Sequence, residues 1–306
     1  MGHLELQKKI RKLLKERNAV LLAHYYQRDE IQEIADILGD SLALSIEASR
    51  TDADIIVFAG VLFMAESASI ISPDKTVLLP RLDAGCSLAD MITIPQLKEA
   101  KKENPDVGVV TYVNSSAEIK AHSDICCTSA NAVRVVNSLK NYKKVLMVPD
   151  GNLARYTSRF TDKKIIPWDG YCSVHNFVTP QEVENVKAKY PQAQFAAHPE
   201  CAPEVLDIAD SVGSTEGIIR FAGETDAREI IVGTEIGIMY QLKKQNPGKK
   251  FISASDNLIC HSMKSITLED ILNSLLEMKH VIKVSEEVRA PAKKALNGML
   301  EVGAED

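Results

Sequence analysis

No stretch of the chain approaches the ~18 consecutive apolar residues that a membrane-spanning helix requires. The opening segment, residues 1–18, is charged and has no apolar core of signal-peptide length. The expectation is a cytoplasmic protein. Basic clusters are also scarce. The densest run, Lys8-Lys9-Ile10-Arg11-Lys12, reads as the solvated face of a helix, and the net charge is −6. A mildly acidic chain with scattered Lys and Arg argues against nucleic-acid and membrane-surface partners. There is no CxxC pair, which removes the strongest zinc-site and thioredoxin signatures. There is no Walker P-loop and no Rossmann glycine fingerprint, so nucleotide-dependent chemistry is poorly supported. Six cysteines in a reducing compartment point to metal binding, catalysis or plain burial instead of disulfides.

What the chain does have is a repeat. At 306 residues it exceeds one average domain, and 45% hydrophobic residues suffice for a full core. Three apolar runs end in a ring-bearing residue: Leu21-Leu22-Ala23-His24, Val109-Val110-Thr111-Tyr112 and Phe195-Ala196-Ala197-His198. Twelve positions after each ring comes an aspartate: Asp36, Asp124 and Asp210. Five further on stand Ser41, Ser129 and Thr215. A second apolar run follows in each unit (Ile55–Ala59, Val145–Val148, Ile230–Val232). A third follows a lysine: Lys75, Lys164 and Lys250. Each third run leads into a loop with a cysteine, and His24–Cys86, Tyr112–Cys172 and His198–Cys260 span 62, 60 and 62 positions. Four landmarks in register across three units make coincidence a poor explanation.

Short β-rich runs alternating with helical patterns imply βαβ units and parallel sheets. Helices are expected over Leu4–Arg17, Ile94–Glu103 and Pro180–Lys189, the last two capped by Thr93 and Thr179 with prolines Pro95 and Pro180 in the first turn. A helix over Leu268–Met278 is expected to close the third unit, while the terminal helices as a set suit completion of either the first or the third unit. The reading is an α/β protein of three pseudo-symmetric three-layer αβα domains, residues 1–93, 94–178 and 179–306, around a central cavity.

In open parallel sheets, ligands bind beyond the carboxyl ends of the strands. His24, Tyr26, Tyr112, Asn114, His198 and Glu200 lie there. So do the cysteines. Gly39 suits a helix end, and Asp40-Ser41, Thr128–Asn131 and Gly213–Glu216 suit helix starts. A helix start with a hydroxyl and free N–H groups either caps its own helix or takes an anion. Cys126, Cys127 and Cys201 fall outside the repeated loop and read as structural. Cys86, Cys172 and Cys260 make a trigonal thiolate set, which suits zinc or an iron–sulfur cluster with one open metal corner. A zinc-dependent lyase on these cysteines, and a non-enzymatic binder of an anionic metabolite, are the competing readings.

The motifs Ala23-His24-Tyr25-Tyr26-Gln27, Gly39-Asp40-Ser41-Leu42, Phe63-Met64-Ala65-Glu66, Tyr112-Val113-Asn114-Ser115, Cys127-Thr128-Ser129-Ala130-Asn131-Ala132, His198-Pro199-Glu200-Cys201, Val212-Gly213-Ser214-Thr215 and Gly233-Thr234-Glu235-Ile236-Gly237 occur in this order. With the cysteines between them, nearly the whole chain resembles the quinolinate synthase family of NAD biosynthesis. The resemblance implies a 4Fe-4S cluster held by Cys86, Cys172 and Cys260. It implies condensation of iminoaspartate (iminosuccinate) with dihydroxyacetone phosphate to quinolinate, phosphate and water. Because no net electron transfer occurs, the cluster is expected to act as a Lewis acid. The implied substrate pocket comprises His24, Tyr26, Ser41, Tyr112, Asn114, Ser129, His198, Glu200 and Thr215, with Val113 and Pro199 beside them. Tyr26, Glu200 and His198 are the expected proton-handling residues, His198 leaning toward a hydrogen-bond donor like His24. Delivery of iminoaspartate by an aspartate-oxidising enzyme is the expected partnership. Some family members carry a CxxC around the last ligand; here the stretch is Cys260-His261-Ser262-Met263, which argues against a regulatory disulfide.

Overall fold

The computed structural model describes residues 2–303. Three four-stranded sheets, all parallel, each carry the order second–first–third–fourth strand. The first sheet comprises β1 (Ala19–His24), β2 (Ile37–Gly39), β3 (Ile55–Ala59) and β4 (Thr76–Leu78). The second comprises β5 (Val107–Tyr112), β6 (Ile125–Cys127), β7 (Lys144–Val148) and β8 (Lys164–Pro167). The third comprises β9 (Gln194–Ala197), β10 (Ser211–Val212), β11 (Glu229–Gly233) and β12 (Lys250–Ser253). Identical strand order in three consecutive segments, with helices between the strands, is the expected pseudo-symmetric α/β architecture.

The repeated aspartates explain the register. Asp36 Oδ2 accepts the Leu21 N–H at 2.8 Å, Asp124 Oδ2 accepts that of Val109 at 2.7 Å, and Asp210 Oδ2 accepts that of Phe195 at 2.7 Å. Each aspartate N–H in turn donates to the carbonyl of the same residue, at 3.0, 3.1 and 2.8 Å. This reciprocal clasp pins each short second strand to the first and satisfies edge groups that two or three ladder residues alone would leave open.

Thr93 and Thr179 do cap their helices, in capping boxes closed by Gln96 and Glu182. A third box, Thr267 with Asp270, recurs 88 residues after Thr179 (267 − 179). Its helix, Leu268–Glu277, does not lie on the third unit as expected. It packs against the helix His3–Glu16 and β3 of the first unit, burying Leu268, Ile271, Leu272 and Leu275 with Leu6, Ile10 and Leu14. The apolar stripe of each helix needs a partner, and each supplies the other's. A final helix, Glu286–Val302, lies across β6 and the helices Leu62–Ile71 and Ala117–Ala121 through Ala292, Ala295, Leu296 and Met299. The terminal helices thus tie the first two units together. No helix among the described residues is long and apolar enough to cross a membrane.

Gly39 is not a helix cap. It ends β2, and an added Cβ would sit 2.9 Å from Ala43 Cβ. The cap of the following helix is Asp40, whose Oδ1 accepts from Leu42 and Ala43 N–H at 3.0 Å each.

Candidate active site

The carboxyl ends of the strands face one cavity of about 180 Å³. It is lined by His24, Tyr26, Ser41, Tyr112, Asn114, Ser129, His198, Glu200, Thr215 and all three repeated cysteines, with contributions from all three units. Two expected residues are not brought to it. Val113 packs its side chain into the core, and Pro199 lines a neighbouring hollow between helix starts.

The two histidines are set alike by the local backbone. Each strand ends in a turn that sends the N–H of residue i+2 back to Nδ1: Tyr26 N to His24 at 3.1 Å, Glu200 N to His198 at 3.3 Å. Nδ1 is therefore an acceptor. Burial lowers both imidazoles to about 3, so each is neutral at pH 7 and carries its proton on Nε2. Two neutral rings with committed Nδ1 atoms have one free function left, N–H donation. That suits carboxylate or phosphate oxygens and argues against either ring as a general base at that atom.

Capping is delegated to neighbours. Asp40 and Ser214 cap the helices Ser41–Arg50 and Thr215–Glu224, and the Asn131 side chain accepts the Thr128 N–H at 2.8 Å. Ser41 and Ser129 therefore line the cavity with hydroxyls that are not spent on capping. Thr215 is different: its hydroxyl donates to Tyr26 Oη at 2.9 Å.

The cysteines occupy equivalent loops fastened to the ends of the third-listed strand of each sheet. The Leu62, Gly151 and Ile236 N–H groups donate to the carbonyls two residues before each cysteine, Ala84, Gly170 and Leu258, at 2.8, 2.8 and 2.9 Å. Each sulfur accepts backbone N–H groups two and three residues on: Leu88 and Ala89 for Cys86, Val174 and His175 for Cys172, Ser262 and Met263 for Cys260. None is in a disulfide. Burial raises all three thiols, Cys86 to about 12, so they stay protonated until a cation replaces the proton. Converging sulfurs with preset N–H donors fit a thiolate-bound metal group. Cys126, Cys127 and Cys201 are fully buried and do not line the cavity.

Comparison with known proteins gives the lineage. The family model described as quinolinate synthetase A protein matches residues 8–301. A quinolinate synthase of Geotalea uraniireducens is 60% identical over 298 residues, covering 97% of this chain and 98% of that one. One from Geobacter sp. strain M21 is 57% identical over 297 residues, 97% of each chain. Quinolinate synthase 1 of Methanosarcina acetivorans is 54% identical over 302 residues, 99% of each. The chain belongs to the quinolinate synthase family of enzymes.

Within this family member the cavity contains acidic and basic groups that the repeat does not mark. His175, three residues after Cys172, is buried and stacks on His198 at 4.6 Å between centroids. Its Nδ1 lies 2.7 Å from Glu200 Oε2 and 3.2 Å from Cys172 Sγ, and its Nε2 lies 2.8 Å from Thr234 Oγ1. Burial would raise the Glu200 carboxyl. The adjoining imidazoles and the hydrogen bonds from His175 and Tyr112 outweigh it and keep the group below its ordinary value, ionised at neutral pH. Its neighbour Asp150 goes the other way. Burial and the Glu200 charge push the Asp150 carboxyl well above its ordinary range, against the Leu153, Asn152 and Cys172 N–H groups that donate to it.

Glu235 plays the part for Cys260 that Asp150 plays for Cys172. Its Oε1 accepts the Cys260 N–H at 3.1 Å and its Oε2 accepts the Gly237 N–H at 2.7 Å. Lys264 neutralises it at 3.1 Å and also donates to the Tyr26 carbonyl at 2.5 Å, joining the third cysteine loop to the end of β1. Asp150 and Glu235 share one place in the repeat, just after the strands β7 and β11; the first unit has Val61 there. Sequence reasoning quoted Thr234 and Glu235 as part of a motif without assigning them a role. The counterparts of His175 are Ala89 and Met263, so a search for repeated landmarks passes over it.

Proposed function

We propose that the protein is a cytoplasmic quinolinate synthase that condenses iminoaspartate with dihydroxyacetone phosphate, releasing phosphate and water. The observation that carries this is the convergence of Cys86, Cys172 and Cys260 on the cavity that also holds His24, Tyr26, Tyr112, His198 and Glu200. The first reactant is a diacid and the second a phosphate ester. The neutral Nε2–H groups of His24 and His198, the Asn114 amide and the helix starts at Ser41 and Ser129 provide donors for such oxygens. Tyr26 and Glu200 move protons. Glu200 Oε1 has no protein partner despite complete burial, which leaves an acceptor for the substrate.

The metal group that fits is a 4Fe-4S cluster on the three cysteines. Among the described residues, the ligand-type side chains whose donor atoms all lie within 4.8 Å are Cys172, His175 and Glu200. The three sulfurs do not all fall within that span of one another, whereas a single tetrahedral zinc would draw its sulfurs to about 3.8 Å apart. The Cys172–His175–Glu200 group is a weaker zinc site, because a 2.7 Å contact between Nδ1 and Oε2 is a hydrogen bond and leaves no room for an ion between them. Bound there, the cluster would supply Lewis acidity at its one iron without a cysteine.

Iminoaspartate hydrolyses readily in water, so direct supply by an aspartate-oxidising enzyme suits this chemistry. The test is anaerobic loading with iron and sulfide, followed by an assay with both substrates for quinolinate and phosphate in equal amounts. Loaded protein that releases neither product rejects the assignment.

A further inference from the structure

Lys120 is fully buried and does not line the cavity. It belongs to the short helix Ala117–Ala121 after β5. Its ammonium donates to the Ser115 carbonyl and lies 5.5 Å from the centre of the Phe63 ring. Phe63 lines the cavity, as do Cys86 and Asn114, the residue before Ser115. The repeat shows what this position requires. Gln32, Lys120 and Leu206 stand eight residues after His24, Tyr112 and His198. In the first unit the Gln32 amide donates at 2.9 Å to the carbonyl of Gln27, which is the counterpart of Ser115. A neutral amide is thus enough to hold that carbonyl, and the third unit does without a donor. The positive charge in the second unit is left to explain.

A buried cation needs an anion. Among the described residues, no carboxylate oxygen lies within 4.0 Å of Lys120 Nζ. Burial pushes Lys120 below its ordinary value, opposed in falling order by Glu66, Cys126, Cys86 and Glu118. Glu66 turns Oε2 to the Ala117 N–H at 3.1 Å, and burial pushes its carboxyl up. Cys126 is a buried thiol raised to about 12, so it stays protonated. Glu118 is exposed. Of these four, Cys86 is the one whose charge changes when metal binds. The Cys86 loop also lacks a support that the others have. Asp150 and Glu235 accept the Cys172 and Cys260 N–H groups, and Val61 stands at that place in the first unit.

We propose that Lys120 is the counter-charge of the metal group at Cys86, a positioning residue whose ammonium stabilises the thiolate-bound form from behind the Phe63 ring and makes the bound irons better electron acceptors. This rests on the cluster assignment made above. Three thiolates on an oxidised 4Fe-4S group leave a net negative charge in a dry cavity. An ammonium fixed behind the wall offsets part of that charge without occupying a ligand position. In the metal-free chain the same ammonium is an unpaired buried charge, a cost to the fold. Loading turns the cost into an attraction.

The test uses Lys120→Gln, which installs the first unit's residue, keeps a donor for Ser115 and removes the charge. Lys120→Arg, which keeps the charge, is its control. Full-length protein is loaded anaerobically with iron and sulfide and titrated with redox mediators, the reduced cluster being read by electron paramagnetic resonance. A unit charge removed from within roughly 12 Å of a redox centre, at an effective dielectric of about 20, changes the reduced-to-oxidised ratio about tenfold. Lys120→Gln should lower that ratio at fixed potential about tenfold, equivalent to about 59 mV for one electron, and Lys120→Arg should stay within about threefold of the parent. Iron should pass to a chelator about tenfold faster from Lys120→Gln than from the parent. The metal-free Lys120→Gln chain should melt within about 3 °C of the metal-free parent, because removing an unpaired buried charge costs the fold little. A merely structural lysine would weaken both states and leave the potential where it was. Parent-like ratio and iron release in Lys120→Gln, equal losses in both variants, or a metal-free Lys120→Gln chain that does not fold overturns the proposal. A parent that takes up no iron and sulfide fails the cluster assignment itself, a result seen before either variant is compared.

Discussion

Replacing Lys264 by methionine keeps most of the side-chain volume and removes a charge that faces Glu235. Glu235 is fully buried and Lys264 is 19% exposed. The ammonium contacts both Glu235 oxygens, at 3.1 and 3.2 Å, and the carbonyls of Tyr26 and Gln27 at 2.5 and 3.3 Å. Removing one partner of a buried pair costs about 3–5 kcal/mol. Glu235 keeps two backbone N–H donors, and it can take up a proton, since burial already raises it and Lys264 is the chief opposing influence. The lower end, about 3 kcal/mol, is therefore expected for Lys264→Met. Glu235→Gln keeps the shape but loses an acceptor and strands the ammonium, and should cost about 2–3 kcal/mol. The double variant should cost about 3–4 kcal/mol, well short of the sum, giving a coupling of about 2 kcal/mol. Urea unfolding midpoints of the metal-free chain, converted with a common slope, measure all three. Additivity within about 0.5 kcal/mol would refute the reasoning, because the two side chains would then act independently. The same variants should release iron faster from the loaded protein, since Glu235 holds the Cys260 N–H.

Other outcomes follow from the same geometry. Glu200→Gln should retain iron and lose about 10²–10³-fold in kcat, measured under saturating substrate. The His198 imidazole, held near 3 against an unfolded value of 6.5, binds its proton more readily when unfolded, so its contribution to stability is present above pH 6.5 and declines as pH falls toward 3. His198→Gln should accordingly flatten the stability–pH curve by about 1.4 kcal/mol per pH unit in that window, read by urea unfolding at several pH values. Gly237→Ala should destabilise strongly, since its Cβ would fall 2.5 Å from Lys264 Nζ and 2.8 Å from the Tyr26 carbonyl carbon; a melting temperature within a degree of the parent would contradict this.

The parts of the fold legible in the sequence are those that the repeat imposes three times. Asp36, Asp124 and Asp210 stand in register because each clasps a strand pair, and the cysteines stand in register because each closes an equivalent loop. The short strands β2, β6 and β10 escape notice because two or three residues carry no readable alternation. The helix Leu268–Glu277 is visible as a helix, but its address is not. Its apolar stripe says that it must be covered and not by what, and the partner stripe of Leu6, Ile10 and Leu14 lies at the other end of the chain. The helix Glu286–Val302 carries a stripe at Ala292, Ala295, Leu296 and Met299 that the 3.6-residue period could have revealed, despite Pro291. In the site, residues at strand ends were found because topology sends strand ends to ligands. His175, Thr234, Asp150 and Glu235 were missed because their importance lies in contacts across units, which only the folded chain displays. Val113 and Pro199 stand between cavity-lining neighbours, and the alternation of an extended chain turns their side chains elsewhere.

The central claim is that sulfurs from three units hold one iron–sulfur cluster, and anaerobic iron and acid-labile sulfide analysis of the loaded protein tests it most directly. About four irons and four sulfides per chain are expected, falling to background in Cys86→Ala, Cys172→Ala and Cys260→Ala and unchanged in Cys201→Ala. One tightly held zinc without sulfide, or full iron content in any of the three alanine variants, would contradict it.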